Sequence, residues 1–427
     1  MTAHAGPRST AESTLISQFE AQKELARSPE RVAAFKRFAE RGLPSRRVES
    51  WHYTDLRAAM ADAAPLAPAP DRPTIEGAAR SLIGRRKVGA ARLVLLDGWF
   101  VEELSDPPPT GVRVVSRDGE ALDVDDPMVM LAEAMSAGGC RVELSDGGLL
   151  DKPLEILHLV GRSGALSLYS RLEIVIGASA RVSFIETFSG AGPGVQRHAL
   201  TMLTLRRGAR VRHAVVVEDR PELHLESQIV DIEAGAELSA FALVSGGALS
   251  RRQLFVRMPG EKAKVALGGL ALLDGSRRAD TTLQVVHSAQ GGVSREFYRA
   301  IVDDEAIGTF QGKVVVATGA QKTDGAMKSQ AVLLSPRAQM NAKPELEIFA
   351  DDVVCGHGAT VAALDPEQVF YLRTRGIPKD EAEAMLLEAF GGEAIERVED
   401  DALAEPLRAS FRAWLDSRGR ASAEVSP

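Results

Sequence analysis

A glycine–alanine pair returns along the middle of this chain at Gly177-Ala178, Gly208-Ala209, Gly235-Ala236, Gly319-Ala320 and Gly358-Ala359, with Gly260 and Gly292 in similar settings. Between these expected turns run segments in which Val, Ile, Leu and Phe alternate with polar residues: Leu172-Glu-Ile-Val-Ile176, Arg181-Val-Ser-Phe-Ile-Glu186, Val211-Arg-His-Ala-Val-Val-Val217 and Glu237-Leu-Ser-Ala-Phe-Ala-Leu243. A period of two is the signature of a strand. The turns recur roughly every 25–40 residues, a repeat length at which one structural unit stacks on the next. No helical pattern separates the strands, so a β-solenoid fits better than a βαβ sheet, with a β-sandwich as its rival. Seven rungs at about 4.8 Å each would make a body on the order of 30 Å long.

The flanks have a different texture. Leu15, Ile16, Phe19 and Leu25, then Val32, Phe35 and Phe38, predict a helical hairpin over 13–42, with Ser28-Pro29 opening the second helix and Gly42 and Pro44 stopping it. The segment Arg46 to Leu56 is dense in aromatic and charged residues; packing of Trp51 and Tyr53 beneath a helix is preferred to a binding epitope, and His52 stands isolated. An Ala/Pro-rich arm follows over 61–73. Arg92-Leu-Val-Leu-Leu-Asp-Gly98 predicts a short strand, and Asp126-Pro127 caps a helix that turns Met128, Leu131 and Met135 inward. After Leu364, Asp365-Pro366 opens a short helix ending at Gly376 and Pro378 opens another, closed by Gly391-Gly392. A last helix puts Leu403, Leu407, Phe411, Trp414 and Leu415 on one stripe, read equally as a docking surface or as packing on the body. The expected regions are 1–95, helical with the Ala/Pro arm; 96–364, the solenoid, irregular until about 140; and 365–427, a helical module.

Chemistry concentrates in Pro344-Glu-Leu-Glu-Ile-Phe-Ala-Asp-Asp-Val-Val-Cys-Gly-His-Gly-Ala-Thr360. On a strand, Cys355 and His357 share a face about 7 Å apart. A thiol beside an imidazole suits zinc, iron or an iron–sulfur cluster, but a closed site usually needs four ligands. The pair is half a metal site, or a buried small hydrophobe beside an unrelated histidine.

Elsewhere the common catalytic signatures are missing. Gly319-Ala-Gln-Lys-Thr323 lacks the first glycine of a phosphate loop, and Gly190-Ala-Gly-Pro-Gly194 lacks dinucleotide spacing and a following helix. There is neither a Gly-x-Ser-x-Gly elbow nor a His-Glu-x-x-His pair. His158, His198, His213, His224 and His287 fall on separate expected strands, as partly buried structural residues. A net charge of −8 argues against nucleic acid as the main partner. Two cysteines cannot build a disulfide framework, which points to a reducing compartment. Met1 to Arg8 has no apolar core like that of a signal peptide, and no run is long enough to cross a bilayer, so a cytoplasmic protein is expected. A chain of 427 residues lacking these motifs reads as a scaffold or binding subunit rather than a self-sufficient enzyme.

Several ordered motifs together resemble the SufB/SufD family of iron–sulfur cluster assembly proteins. They are Gly319-Ala-Gln-Lys-Thr-Asp-Gly325, Leu333-Leu-Ser-Pro336, Pro344-Glu-Leu-Glu-Ile348, Cys355-Gly-His-Gly-Ala-Thr360 and Glu367-Gln-Val-Phe-Tyr-Leu-Arg-Thr-Arg-Gly376. Arg47-Val-Glu-Ser-Trp-His-Tyr-Thr54 adds an N-terminal match. Gly358 stands where SufB-like chains carry glutamate after the histidine, so the resemblance favours the SufD branch over its SufB sister.

The resemblance implies a mainly β protein: a right-handed parallel β-helix core flanked by N- and C-terminal helical regions. It implies a non-catalytic scaffold that binds no nucleotide, pairs through its last strands with SufB, and docks the ABC ATPase SufC, where ATP hydrolysis takes place, on its C-terminal helices. Glu367, Phe370, Tyr371, Arg373, Arg375, Met385 and Phe390 are the expected docking residues. His357 matches the family's functional histidine and Cys355 is the nearby thiol, expected to hold iron or a transient iron–sulfur cluster shared with the partner. A homodimer is the expected alternative when the chain is isolated. A SufB-like scaffold and a β-helix carbohydrate-active enzyme are the alternative functions; the latter would need clustered acidic residues on one solenoid face. A purely structural role for Cys355 and His357 is the third.

Overall fold

A computed structural model of the chain describes residues 7–425, apart from 23–24, 26–27 and 116–121. The N-terminal stretch Met1–Gly6 lies outside the described residues. Strands alternate between two parallel sheets. A front sheet stacks Ala91–Leu96, Leu154–Leu159, Arg181–Ser189, Arg210–Val217, Glu237–Val244, Lys264–Leu273, Val293–Val302, Asp324–Leu333 and Val354–Ala363. A back sheet stacks Cys140–Leu144, Leu166–Ile176, Val195–Leu205, Leu223–Ile232, Leu249–Met258, Arg278–His287, Ile307–Val316 and Gln339–Ile348. Consecutive strands therefore sit in opposite sheets and pair only with the strand two places on. This is a β-solenoid, and its parallel ladders exclude the antiparallel sandwich that was its rival.

Register is unbroken, so each position forms a row along the axis. In the back sheet Ile174, Leu203, Val230, Val256, Val285, Val314 and Leu346 are matched in turn. All but Leu346 are buried in the main core, and Leu346 packs against it. Burying one such side chain contributes about 1.5–3 kcal/mol, and a one-residue slip would turn the whole row outward. Corners explain the repeated turn. Gly208 (φ 68°) and Gly235 (φ 66°) take the left-handed conformation that glycine tolerates, and the alanines after them are fully buried at the corner. Gly358-Ala359 breaks the pattern. It was expected as a turn but lies inside the strand Val354–Ala363.

The two ends of the solenoid differ. At the first end the ladders reverse: Trp99–Phe100 runs antiparallel to Ala91–Leu96, and Val112–Val115 runs antiparallel to Cys140–Leu144. At the other end no strand among the described residues follows Val354–Ala363 or Gln339–Ile348 in either sheet.

Helices cover the flanks. Thr10–Ala21 and Pro29–Arg41 are capped by Ser9 and Ser28 and stack Phe19 on Phe35 with ring centroids 3.9 Å apart. With the fully buried helix Pro127–Met135 and Trp51 they share a core that includes Tyr169, Leu223, Leu225 and Leu249 of the back sheet. Trp51 is thus a packing residue, its Nε1 donating to Asp126 at 3.0 Å. At the C-terminus lie Pro366–Thr374, Lys379–Ile395 and Asp401–Val425. The Gly391-Gly392 stop does not occur, and the second of these helices runs on to Ile395. Gly391 serves a different purpose: a Cβ there would come within 2.3 Å of the Phe411 ring, so the glycine lets two helices touch. The stripe Leu403, Leu407, Phe411 and Trp414 is buried against Ile185, Ala214, Phe241, Leu270 and Phe297 of the front sheet. Of its two readings, packing on the body is the correct one. No helix among the described residues is long and apolar enough to cross a membrane.

Candidate functional site: the open end of the solenoid

Cys355 and His357 lie on the last front-sheet strand, opposite Gly325 and Met327. Met327 is buried in the main core and Cys355 packs against that core, so this face of the strand looks inward. Cys355 is half-buried and His357 exposed, because no further rung covers them. The same uncovered end leaves large apolar side chains in solvent: Val354 is 74% exposed, Phe349 61% and Ile348 41%. An edge strand with free backbone groups and apolar side chains is a template for pairing with another chain.

Burial pushes the Cys355 thiol above its ordinary pKa, with Asp324 and Glu296 adding to the shift. The Gly325 backbone and the Arg295 guanidinium oppose that shift without overcoming it. Among the described residues no group of three or more His, Cys, Asp or Glu side chains could hold a metal. The donor set here, one sulfur and one imidazole, fits half of an iron or cluster site.

Two residues beyond the last strand, Asp365 caps the helix Pro366–Thr374, accepting from the Glu367 backbone N–H at 2.9 Å. No residue of this helix is buried. Phe370 is 68% exposed and Tyr371 57%, and Met385 on the next helix is exposed as well. Glu367, Arg373 and Arg375 are exposed too, and Arg375 donates to the Tyr371 hydroxyl at 3.0 Å. Phe390 differs from the other expected docking residues. It is half-buried, with the guanidinium of this chain's own Arg299 4.4 Å from its ring centroid, so it faces the body.

The histidines that sequence placed on separate strands meet inside the solenoid. His158 Nε2 and Glu186 Oε2 are 2.9 Å apart, and His213 Nε2 stands 3.1 Å from the other oxygen. Glu186 is also reached by the Thr201 hydroxyl at 3.3 Å, and His213 Nδ1 lies 3.2 Å from Gln228. Burial acts to raise the Glu186 pKa, but His158 and His213 outweigh it and hold the group at about 2. Beside this cluster Arg252 clamps Glu226 with N–H groups at 2.9 and 2.8 Å. Arg197 donates to His224 at 2.9 Å and grips Asp219. Burial and Arg197 together lower the His224 pKa to about 4. A signal for these pairs was present in the sequence: His158–Glu186, Arg197–His224 and Glu226–Arg252 are separated by 28, 27 and 26 residues, one turn of the solenoid.

Comparison with known proteins agrees with this geometry. Residues 159–390 match the SUF system FeS cluster assembly SufBD core domain. The chain is 28% identical over 407 residues to the iron-sulfur cluster assembly protein SufD of Escherichia coli (strain K12), covering 92% of this chain and 94% of that one. It is 28% identical over 386 residues to an iron-sulfur cluster assembly SufBD family protein of Synechocystis, covering 83% and 84%. A chloroplastic protein of Arabidopsis thaliana is 26% identical over 287 residues, covering 65% and 59%. With the core domain matching more than half of the chain, on a solenoid with one open end, the chain belongs to the SufBD family of iron–sulfur cluster assembly proteins.

Proposed function

We propose that this chain is a non-catalytic scaffold subunit that presents its open solenoid end to a SufB-like sister chain. Gln339–Ile348 and Val354–Ala363 supply the ladder edges, and His357 and Cys355 supply an imidazole and a thiolate to iron or a nascent cluster as cargo, with the sister providing the remaining ligands. The exposed helix Pro366–Thr374, with Phe370 and Tyr371 in solvent, and Met385 beside it form the seat for a SufC-like ABC ATPase, whose closure would move the two scaffolds against each other. Two free cysteines suit a reducing cytoplasm. The observation that carries this reading is the uncovered last rung, with Cys355 and His357 on one face of its strand and, among the described residues, no third metal-binding side chain grouped with them.

The same edge could pair with a second copy when the chain is isolated. A carbohydrate-active enzyme is disfavoured: the buried carboxylates Glu186, Glu226 and Asp280 are engaged by His158, Arg252 and Arg251 rather than clustered on an open face. The test is co-purification from native lysate combined with iron and sulfide analysis of the complex. Recovery of a sister scaffold and an ATPase, with cluster content lost in His357→Ala, is expected. A chain recovered alone, or a His357→Ala complex that assembles clusters normally, would sink the proposal.

A further inference from the structure

On its outer face the front sheet carries a buried guanidinium that holds two elements at once. Arg299, on Val293–Val302, is 6% exposed. It donates to the Phe390 carbonyl and the Glu393 carboxylate of the helix Lys379–Ile395, and to Gln330 of the neighbouring strand Asp324–Leu333 at 3.2 Å. The ring centroids of Phe390 and Phe297 stand 4.4 and 5.0 Å from its guanidinium carbon, so the cation also packs on one ring from the helix and one from the sheet.

Register shows what lies beyond this grip. Arg299, Gln330 and Thr360 are matched in turn across the last three front-sheet strands, and Thr360 belongs to the strand that carries Cys355 and His357. Apolar contact between helices and sheet ends at the same place. Val332 is buried in one cluster with Leu387, Ala394 and Ile395 of the helix, whereas among the described residues none of Val354–Ala363 joins that cluster. Asp324–Leu333 is therefore the last strand the helices hold, and the end strand is paired to it by a single ladder. The remaining polar links of the C-terminal helices stop short of it. Trp414 Nε1 donates to Asp274 at 3.1 Å and Arg418 pairs with Asp303, in the turns that follow Lys264–Leu273 and Val293–Val302.

We propose that Arg299 is a positioning residue that ties the ATPase seat to the ligand-bearing rung, so that displacement of the helix Lys379–Ile395 by a docked ATPase reaches Cys355 and His357 through Gln330 and its ladder. This rests on the reading of the C-terminal helices as that seat. Arginine suits the task because one rigid planar fork reaches acceptors on two elements, whereas a lysine ammonium is a point charge on a flexible stem. Burial stiffens the grip: pulling Glu393 away would leave the guanidinium without its carboxylate in a place that water does not reach.

The experiment takes the complex recovered from native lysate and follows amide exchange of residues 354–363 with and without the nonhydrolysable ATP analogue AMP-PNP. In wild type the analogue should change the exchange of these amides. Arg299→Met should still capture the ATPase, and the analogue-dependent change should shrink by about threefold or more, within the range found when residues that carry coupling are replaced. Gln330→Leu leaves the helix contacts of Arg299 in place and should shrink the change as well; it decides the question if Arg299→Met unfolds the C-terminal helices. Trp414→Phe removes the bond to Asp274, loosens the last helix and should leave the change intact, which separates a tie from general weakening. A full response in Gln330→Leu and in a folded Arg299→Met, an equal loss in Trp414→Phe, or no response in wild type with the ATPase bound overturns the tie and leaves the seat standing. If wild type captures no ATPase, the seat reading fails and the tie falls with it.

Discussion

The guanidinium carbon of Arg251 stands 3.8 Å from the centroid of the Trp51 ring, joining residues 200 positions apart. Arg251 also donates to the Ser50 carbonyl at 2.6 Å and pairs with Asp280, so the N-terminal region is fastened to the back sheet by one buried cation. Trp51→Ala removes the ring, the hydrogen bond to Asp126 and the cation–π contact together. A loss of about 3–5 kcal/mol is expected in urea unfolding, with the N-terminal helices becoming protease-sensitive before the solenoid does. Equal resistance in mutant and wild type would show that the fastening lies elsewhere.

The buried histidines set an acid limit. Burial lowers the His198 pKa to about 3, and burial with Arg197 lowers that of His224 to about 4. Their ordinary value is near 6.5, so between that pH and the lowered values the unfolded chain binds more protons than the folded one. Their contribution is complete above about pH 6.5 and is lost as pH falls toward 4. Urea midpoints should therefore drop steadily from pH 7 to pH 5, before most carboxylates titrate. Replacing His198, which stacks on Tyr169 at 4.7 Å and whose ring nitrogens have no hydrogen bond, by Phe should flatten that slope.

Glu296 works in the opposite direction. Its folded pKa of about 8 lies above the ordinary carboxylate value, so its contribution is complete below about pH 4.5 and is lost as pH rises through 8. Glu296→Gln should raise the melting temperature relative to wild type, and the gap should widen from pH 6 to pH 9. A gap that narrows with pH contradicts the buried, neutral carboxyl.

Glu226 and Arg252 form a buried bidentate pair. Glu226→Ala strands the guanidinium in the interior. The expected loss is about 3–5 kcal/mol, and the double replacement Glu226→Leu with Arg252→Met should recover much of it, since an apolar pair leaves no orphan charge. Chemical denaturation of the single and double variants measures both.

At the C-terminus, Gly391→Ala forces a methyl to within 2.3 Å of the Phe411 ring. Overpacking of this kind costs about 1–3 kcal/mol and should loosen the last helix from the body. Phe370→Ala, by contrast, touches an exposed side chain and should change stability by less than about 0.5 kcal/mol while weakening capture of the proposed ATPase partner in pull-down assays.

Much of this was written locally. Helix starts at Ser28, Asp126 and Asp365 follow from a capping side chain next to proline, and the structure shows each of those side chains accepting from a backbone N–H. Alternation gave the strands, and the glycine turns gave the repeat. What local pattern could not show was the partner of each strand, because a solenoid pairs residues a full turn apart and that turn varies in length. Glu186 therefore looked solitary in the sequence, although His158 and His213 flank it in the fold. Gly391 misled for a related reason: a glycine pressed beneath a ring on another helix looks, in sequence, like a helix stop. Gly358 carries the sequence signature of a turn because a glycine on the uncovered side of an end strand is followed by alanine in the same way. At the site itself, the Cys355–His357 pair was visible from spacing, whereas the uncovered rung that exposes it was not, since no local pattern marks a strand as the last of its sheet.

One end of the ladder is closed by reversing strands and the other is open, so local opening should be cheap at one end and dear at the other. Amide hydrogens of 339–363 should exchange fastest among the solenoid strands, and protection should climb rung by rung toward Leu154 and then level off. A chain built this way frays in one direction only. Whatever covers Val354–Ala363 restores the missing ladder, so the protection gained there on complex formation would report directly how much of the end rung's order the partner supplies.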